Sequence, residues 1–417
     1  MNRTTLAIAA GITAVALAWP AGVAVAQVSE AAVLWLLISP GSRPSGMGES
    51  FVALADDATA TWWNPGGLAF QRGRDIRLMH ANWLPAFNLN DIYFDFVAGS
   101  FYMPNLGGTV GVNVIYMNEG DQTWTNEAGD QLGVITSREY ALGVNYGTTI
   151  NPDLGVGMGL KFIVSDLADG VDVGNQKAGV GYSFALDLGT LYKTRLPFTE
   201  RPLNLGASLS NFGPEISYAD EAQADPLPTN LKLGMALNVW NDPHNEVNFV
   251  FDVNKQLVRK SLASVDVNGV RDTNLGNPDD PFDPLNPTGF TRLSLEERQD
   301  ERADSPDIYT YETDPAYKAL FTSWFDEGMK QEFRNYVYNL GCEYWYRAEA
   351  SNLGQAAFGV RAGYLNDIAG SIKSYTLGSS IQVNLVEFDF SYELSVDPEV
   401  YSTPRDKTMR FSLGFNF

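Results

Sequence analysis

Leu154-Gly155-Val156-Gly157-Met158-Gly159-Leu160-Lys161-Phe162-Ile163-Val164-Ser165 alternates from end to end. Leu154, Val156, Met158, Leu160, Phe162 and Val164 fall on one side, while Gly155, Gly157, Gly159, Lys161, Ile163 and Ser165 fall on the other. Successive side chains of a strand point to opposite faces, so this segment offers an apolar face and a mostly small or polar one. The pattern returns in Tyr182–Gly189, Leu203–Ser210, Leu231–Val239 and Val386–Leu394. Outward from there, residues 73–417 hold about fourteen such segments, each near the ~10 residues that a tilted membrane-spanning strand needs. The spacing predicts an all-β fold, an antiparallel transmembrane β-barrel of about fourteen strands.

Connection lengths support the same reading. Short links near Pro104–Gly108, Asn151–Asp153, Asn241–Asn245 and Asn384–Leu385 alternate with long ones near Asn118–Ser137, Asp166–Ala178, Asn211–Pro228, Lys255–Asn335 and Asp397–Lys407. Barrels of the bacterial outer membrane have short periplasmic turns and long outer loops. The long links follow odd-numbered strands, which sets the N- and C-termini in the periplasm. Met409, Phe411, Leu413, Phe415 and Phe417 share the last apolar face, and the chain ends on an aromatic residue. Gly157 faces the lumen in this scheme, where a serine should be far better tolerated than an arginine at lipid-facing Met158.

The 417 residues carry 28 Lys and Arg against 50 Asp and Glu, a net charge of -22. Binding to nucleic acid needs clustered cations, so this class of partner is excluded. Arg3 precedes an apolar stretch, Leu6–Ala18, and the small-x-small site Ala24-Val25-Ala26. Residues 1–26 therefore read as a cleaved signal peptide, too short in its apolar part for the ~20 residues of a spanning helix.

Residues 27–72 precede the first strand and lack a sheet pattern. They are expected to fill the lumen as a hatch, with Asp56 or Asp57 capping a short helix that runs to Trp63. Trp62 and Trp63 would pack on the inner wall. Residues 255–335 interrupt the strands with Pro278, Pro281, Pro284, Pro287, Pro306 and Pro315 and a surplus of acids. They are expected to form an acidic extracellular insertion, with candidate helices at Leu293–Asp304 and Ala316–Phe333. In the second of these, Phe321, Trp324, Phe325 and Phe333 are candidate partner-binding residues.

Chemistry has little to work with. The two histidines, His80 and His244, fall on a strand and in a turn, and the single Cys342 cannot make an intrachain disulfide or a thiolate cluster. No catalytic residue, cofactor site or metal site is predicted, the acid groups of the insertion lacking calcium-loop spacing.

The hatch carries a recognisable series: Leu36-Leu37-Ile38, Pro40-Gly41-Ser42-Arg43, Gly46-Met47-Gly48, Phe51-Val52-Ala53, Ala55-Asp56-Asp57-Ala58 and Trp62-Trp63-Asn64-Pro65-Gly66-Gly67-Leu68. This resembles the amino-terminal signature of the PorV/PorQ family, which belongs among the FadL-like outer-membrane barrels. Gly66 stands where that family commonly has alanine, and the insertion is long for a member. The resemblance implies a fourteen-stranded barrel with a lumenal hatch marked by Arg43, Gly46, Met47, Gly48, Asp56, Asp57, Trp62, Trp63, Asn64 and Pro65. It implies a PorV-like role in type IX protein secretion, binding cargo and shuttling it from the translocon to the surface attachment complex. Outer-membrane lipid and lipopolysaccharide are expected around it. The alternative function is a FadL-like channel for long-chain fatty acids or other hydrophobic compounds, with a hydrophobic ligand in the lumen.

Overall fold

The computed structural model describes residues 31–417 except 88–90, 126–129, 168–171, 174, 175, 178, 219–223, 259, 266–307, 314, 325–332, 334, 352, 353 and 397–402. The expected signal peptide and the Leu293–Asp304 helix lie outside the described residues, as does Phe325. Fourteen antiparallel strands form the wall. They are β1 (Arg74–Asn82), β2 (Ile92–Met103), β3 (Gly108–Thr125), β4 (Gln131–Asn151), β5 (Leu154–Asp166), β6 (Gly181–Arg195) and β7 (Pro202–Phe212). The second half comprises β8 (Asn230–Asn241), β9 (Asn245–Gln256), β10 (Tyr336–Ser351), β11 (Gly354–Asp367), β12 (Ile372–Val383), β13 (Val386–Ser395) and β14 (Met409–Asn416). Each pairs with its sequence neighbour, and β1 closes on β14 from Asp75↔Asn416 to Ala81↔Arg410. Closure satisfies the backbone in lipid without leaving an open edge.

The outward face matches the alternation: Met158 is 50% exposed, Phe184 63% and Leu233 50%, whereas Asp187 and Ser412 are buried toward the lumen. Among the described residues no helix is long and apolar enough to cross a membrane, so the strands carry the chain across. The protein is an integral outer-membrane barrel, with both ends of its wall, Arg74 and Phe417, joined by backbone hydrogen bonds of 3.1 and 2.8 Å at the periplasmic rim. Met158→Arg should cost roughly 2 to 4 kcal/mol near the bilayer midplane. Urea titration of folding into lipid vesicles would measure it, and a neutral result would count against this facing.

Three local expectations are corrected. Asn118–Ser137 is not a loop: β3 and β4 run on as a ribbon of 18- and 21-residue strands, paired from Asp121↔Thr136 beyond a register shift. Its Gly, Thr and Asn content resembles a loop, but the ladder continues past the bulge at Gly120, where φ is +78°. The predicted Ala316–Phe333 helix is α-helical over Ala316–Thr322 and ends at Ser323, with residues 325–332 lying outside the described residues. The insertion also has a two-stranded stem, Lys260–Val265 paired with Ile308–Thr313, that proline content had concealed.

The lumenal hatch as candidate functional site

The hatch starts near the outer end, where the Ala32 N–H donates to the Pro226 carbonyl at 3.0 Å, and descends to Gly73 at the periplasmic rim. Its helices are short: α1 (Ser42–Ser45), α2 (Ala60–Trp63), and 3-10 segments at Leu34–Leu37 and Pro65–Phe70. Neither Asp56 nor Asp57 caps α2 directly. Asp57 instead accepts from the Thr59 N–H at 2.8 Å, one residue before the helix. Asn64 ends α2 and starts the next turn, its side chain accepting from the Gly66 N–H at 3.0 Å with Pro65 at the first position.

Two different kinds of contact hold this segment. Along β3–β8 the wall is stripped to glycine so that main chain meets main chain. A Cβ on Gly157 would overlap the Pro65 carbonyl, one on Gly66 would lie 2.6 Å from the Thr190 Cα, and one on Gly206 would lie 2.5 Å from the Val52 carbonyl. The Asn64 amide donates to the Thr190 carbonyl at 3.0 Å and to Val52 at 2.8 Å. Asp252 of β9 accepts the N–H groups of Phe51 and Val52 at 2.7 and 2.9 Å.

Along β10–β14 and β1 the contacts are ionic. Arg43 forks onto Glu343 at 2.8 and 2.9 Å and reaches Asp56 at 2.6 Å. Arg361 holds the same Glu343 at 2.7 Å and Asp389 at 3.3 Å. Arg77 bridges Asp75 at 2.8 Å and Glu387 at 2.9 Å. Gly46 sits against Gly378, and Met47 presents its carbonyl to Gly341, where a Cβ would lie 2.5 Å away. Gly48, with φ at +66°, fits between β10 and β11.

A second ionic node lies toward the outer rim. Glu49 contacts Arg405 and lies 3.4 Å from Arg410, and both arginines also hold Glu393. Burial alone would push the Glu49 carboxyl up, but Arg405 and Arg410 outweigh it and hold it below the usual glutamate range. A lowered folded value means that this tether is complete above the unfolded glutamate pKa of about 4.3 and is lost as pH falls through the folded one. Trp83 lies 5.6 and 5.7 Å from Arg405 and Arg410 and serves as the reporter. Acid titration of its fluorescence should show a step that Glu49→Gln lacks, and an identical step in that variant would refute the assignment.

Trp62 and Trp63 meet edge to face at 4.7 Å, donate to the carbonyls of Leu36 and Pro40, and receive the Lys232 ammonium over the Trp62 ring at 3.4 Å. Toward the outer end Trp35 and Leu36 join Met79, Phe94, Phe96 and Ile115 in an apolar cluster. A recess of about 10 Å³ beside Ser42, Arg43, Asp57, Arg77 and Asp389 has room on the order of one water.

The ten predicted hatch residues are thus brought together inside the barrel, all buried or half-buried except Asp56, which is half-exposed. The wall charges Glu343, Arg361, Asp389 and Arg77 escaped sequence reading, since a polar residue on alternate positions looks the same in a wet pore as in an ion-paired one. Of the candidate aromatics outside, Phe321 is 74% and Phe333 52% exposed. Trp324 is engaged internally, donating to the Leu320 carbonyl at 2.8 Å with Lys255 5.0 Å from its ring.

No curated protein matches the chain. Among solved structures, the toluene transporter TbuX of Ralstonia pickettii is 12% identical, with 91% of this chain and 97% of that one covered and a TM-score of 0.45. The toluene transporter TodX of Pseudomonas putida is 10% identical over 91% and 98%, with a TM-score of 0.47. A FadL homologue of Pseudomonas aeruginosa is 9% identical over 90% and 98%, with a TM-score of 0.42. The family model described as type IX secretion system protein PorV matches residues 24–263, more than half of the sequence and the whole of the hatch, and so the chain belongs to the PorV family.

Proposed function

We propose that this protein is a PorV-like component of type IX secretion that binds secreted cargo and passes it to the surface attachment machinery. The observation that carries this reading is the filled lumen. A hatch seated on glycine along one wall and ion-paired along the other occupies the lumen, which supports work at the outer surface rather than passage through the barrel. Residues 1–26 act as the cleaved signal, and the acidic insertion lies outside. On that surface Tyr317 and Phe321, one helical turn apart and both exposed, are the better candidates for an anchor than self-packed Trp324.

Replacing residues 266–307, between the paired ends Val265 and Ile308, by Asn-Gly should leave a heat-modifiable barrel because a two-residue turn can close the stem. Tyr317→Ala with Phe321→Ala should weaken cargo co-purification by about 1 kcal/mol or more. Unchanged cargo display and co-purification in both variants would remove the secretion reading.

The uptake reading, a channel for long-chain fatty acids or other hydrophobic compounds, draws on the apolar cluster around Trp35 and Leu36 in the outer half of the lumen. Uptake of a fluorescent fatty acid that falls in a Leu36→Asp variant while cargo display persists would favour it.

A further inference from the structure

In a chain with 50 acids and 28 bases, a cation without a carboxylate partner is unexpected. Arg43, Arg77, Arg347, Arg361, Arg405 and Arg410 each hold a carboxylate. At the periplasmic end, Arg347 apart, the pattern reverses. Arg72, Arg74, Lys193, Arg195 and Arg201 make no ion pair among the described residues, and four of the five are exposed. Arg72 lies 4.7 Å from the Tyr102 ring, Lys193 lies 4.0 Å from the Phe70 ring, and Arg195 donates to the Glu200 carbonyl at 3.0 Å. These three are held by neutral groups.

These residues make a strip. Lys193 and Arg195 end β6, Arg201 precedes β7, and Arg72 and Arg74 are the last residues of the hatch and the first of the wall. Phe70 carries the line across the lumen mouth, from β6 toward Tyr102 at the end of β2. Beside it the β6–β7 turn displays Phe198, 103% exposed and with φ at +56°. That conformation costs a non-glycine residue energy, and here it exposes an aromatic ring to water. The nearby acids do not cancel the strip. The exposed Glu200 and Asp153 carboxylates offset two of its five charges, Glu246 pairs with Arg347, Asp242 is held within its own turn, and Asp56 acts on Lys193 only from a distance.

We infer that the periplasmic mouth is a docking surface for an acidic, soluble segment of a periplasmic protein, with Phe198 entering an apolar notch beside that segment's carboxylates. Charge complementarity identifies the partner chemistry. A lipid headgroup is the poorer fit: Lys193 alternates with outward-facing Tyr192 and stands over the hatch, turned away from the surrounding bilayer. The inference needs only the orientation of the barrel and is independent of the secretion reading.

The test uses the full protein in nanodiscs of phosphatidylcholine and a fluorescein-labelled peptide of eight glutamates interrupted by one leucine, read by anisotropy. Saturable binding that weakens with salt is expected, and Lys193→Gln with Arg195→Gln and Arg201→Gln should weaken it roughly tenfold. Phe198→Ser should weaken it by a smaller factor, and Arg138→Gln at the far end should leave it unchanged. If the triple variant loses its heat-modifiable form, Arg195→Gln alone replaces it, with a two- to threefold loss expected on the order of one exposed pair. Equal affinity in wild type and variants overturns the proposal. So does failure of the peptide to bind while the triple variant loses affinity for phosphatidylglycerol vesicles, the result a headgroup site would give.

Discussion

Replacing Glu343 by alanine is expected to destabilise the folded protein by about 3 to 5 kcal/mol, because two buried guanidinium groups lose their shared carboxylate at once. Arg361 is fully buried and Arg43 nearly so, and neither is reached by enough water to replace the lost charge. Asp56 and Asp389 would remain as partial partners, at 2.6 and 3.3 Å. The double change Glu343→Ala with Arg43→Met should recover part of the loss, since removing both partners of a buried pair costs less than removing one. Urea midpoints of the two variants in detergent check this. A Glu343→Ala barrel as stable as wild type would mean that the hatch is not fastened by this group.

Gly157→Ser is the second large effect and reverses the expectation from sequence. A lumen-facing glycine suggested spare room, whereas a side chain at this position would overlap the Pro65 carbonyl of the hatch. Backbone cannot turn aside as a side-chain tip can, so the cost should reach about 3 kcal/mol and rise further for Gly157→Val. Loss of the heat-modifiable form, or protease cutting within residues 58–73, would register it. Full tolerance of valine would show that the hatch leaves its seat.

The same glycine illustrates what could be read from the sequence. Alternation in Leu154–Ser165 reported strand and facing correctly because both depend on the two-residue repeat of the backbone. What faced Gly157 depended on Pro65, about ninety positions earlier, and no local pattern carries that. Arg43 was legible as part of a motif, but its partner Glu343 lies on another strand and alternates like any lumenal polar residue. The β3–β4 ribbon reads as loop in the sequence because glycine and polar residues obscure alternation once a bulge shifts it. The short α-helix of the insertion shows the opposite error, since aromatic spacing continued past the point where the helix stops.

Residues 31–73 are made early, yet some of their partners are made last. Ser42 hydrogen-bonds to Ser412, 370 positions later, and Arg43 to Glu343, 300 positions later. Until β10 to β14 arrive the first segment lacks its wall partners Glu343, Arg410 and Ser412, and once β14 has zipped to β1 the closed wall leaves no side door. The hatch must therefore be waiting at the centre when the seam shuts, and the slow, long-range closure of the last strand on the first becomes the step that decides whether a plugged or an empty cylinder is born.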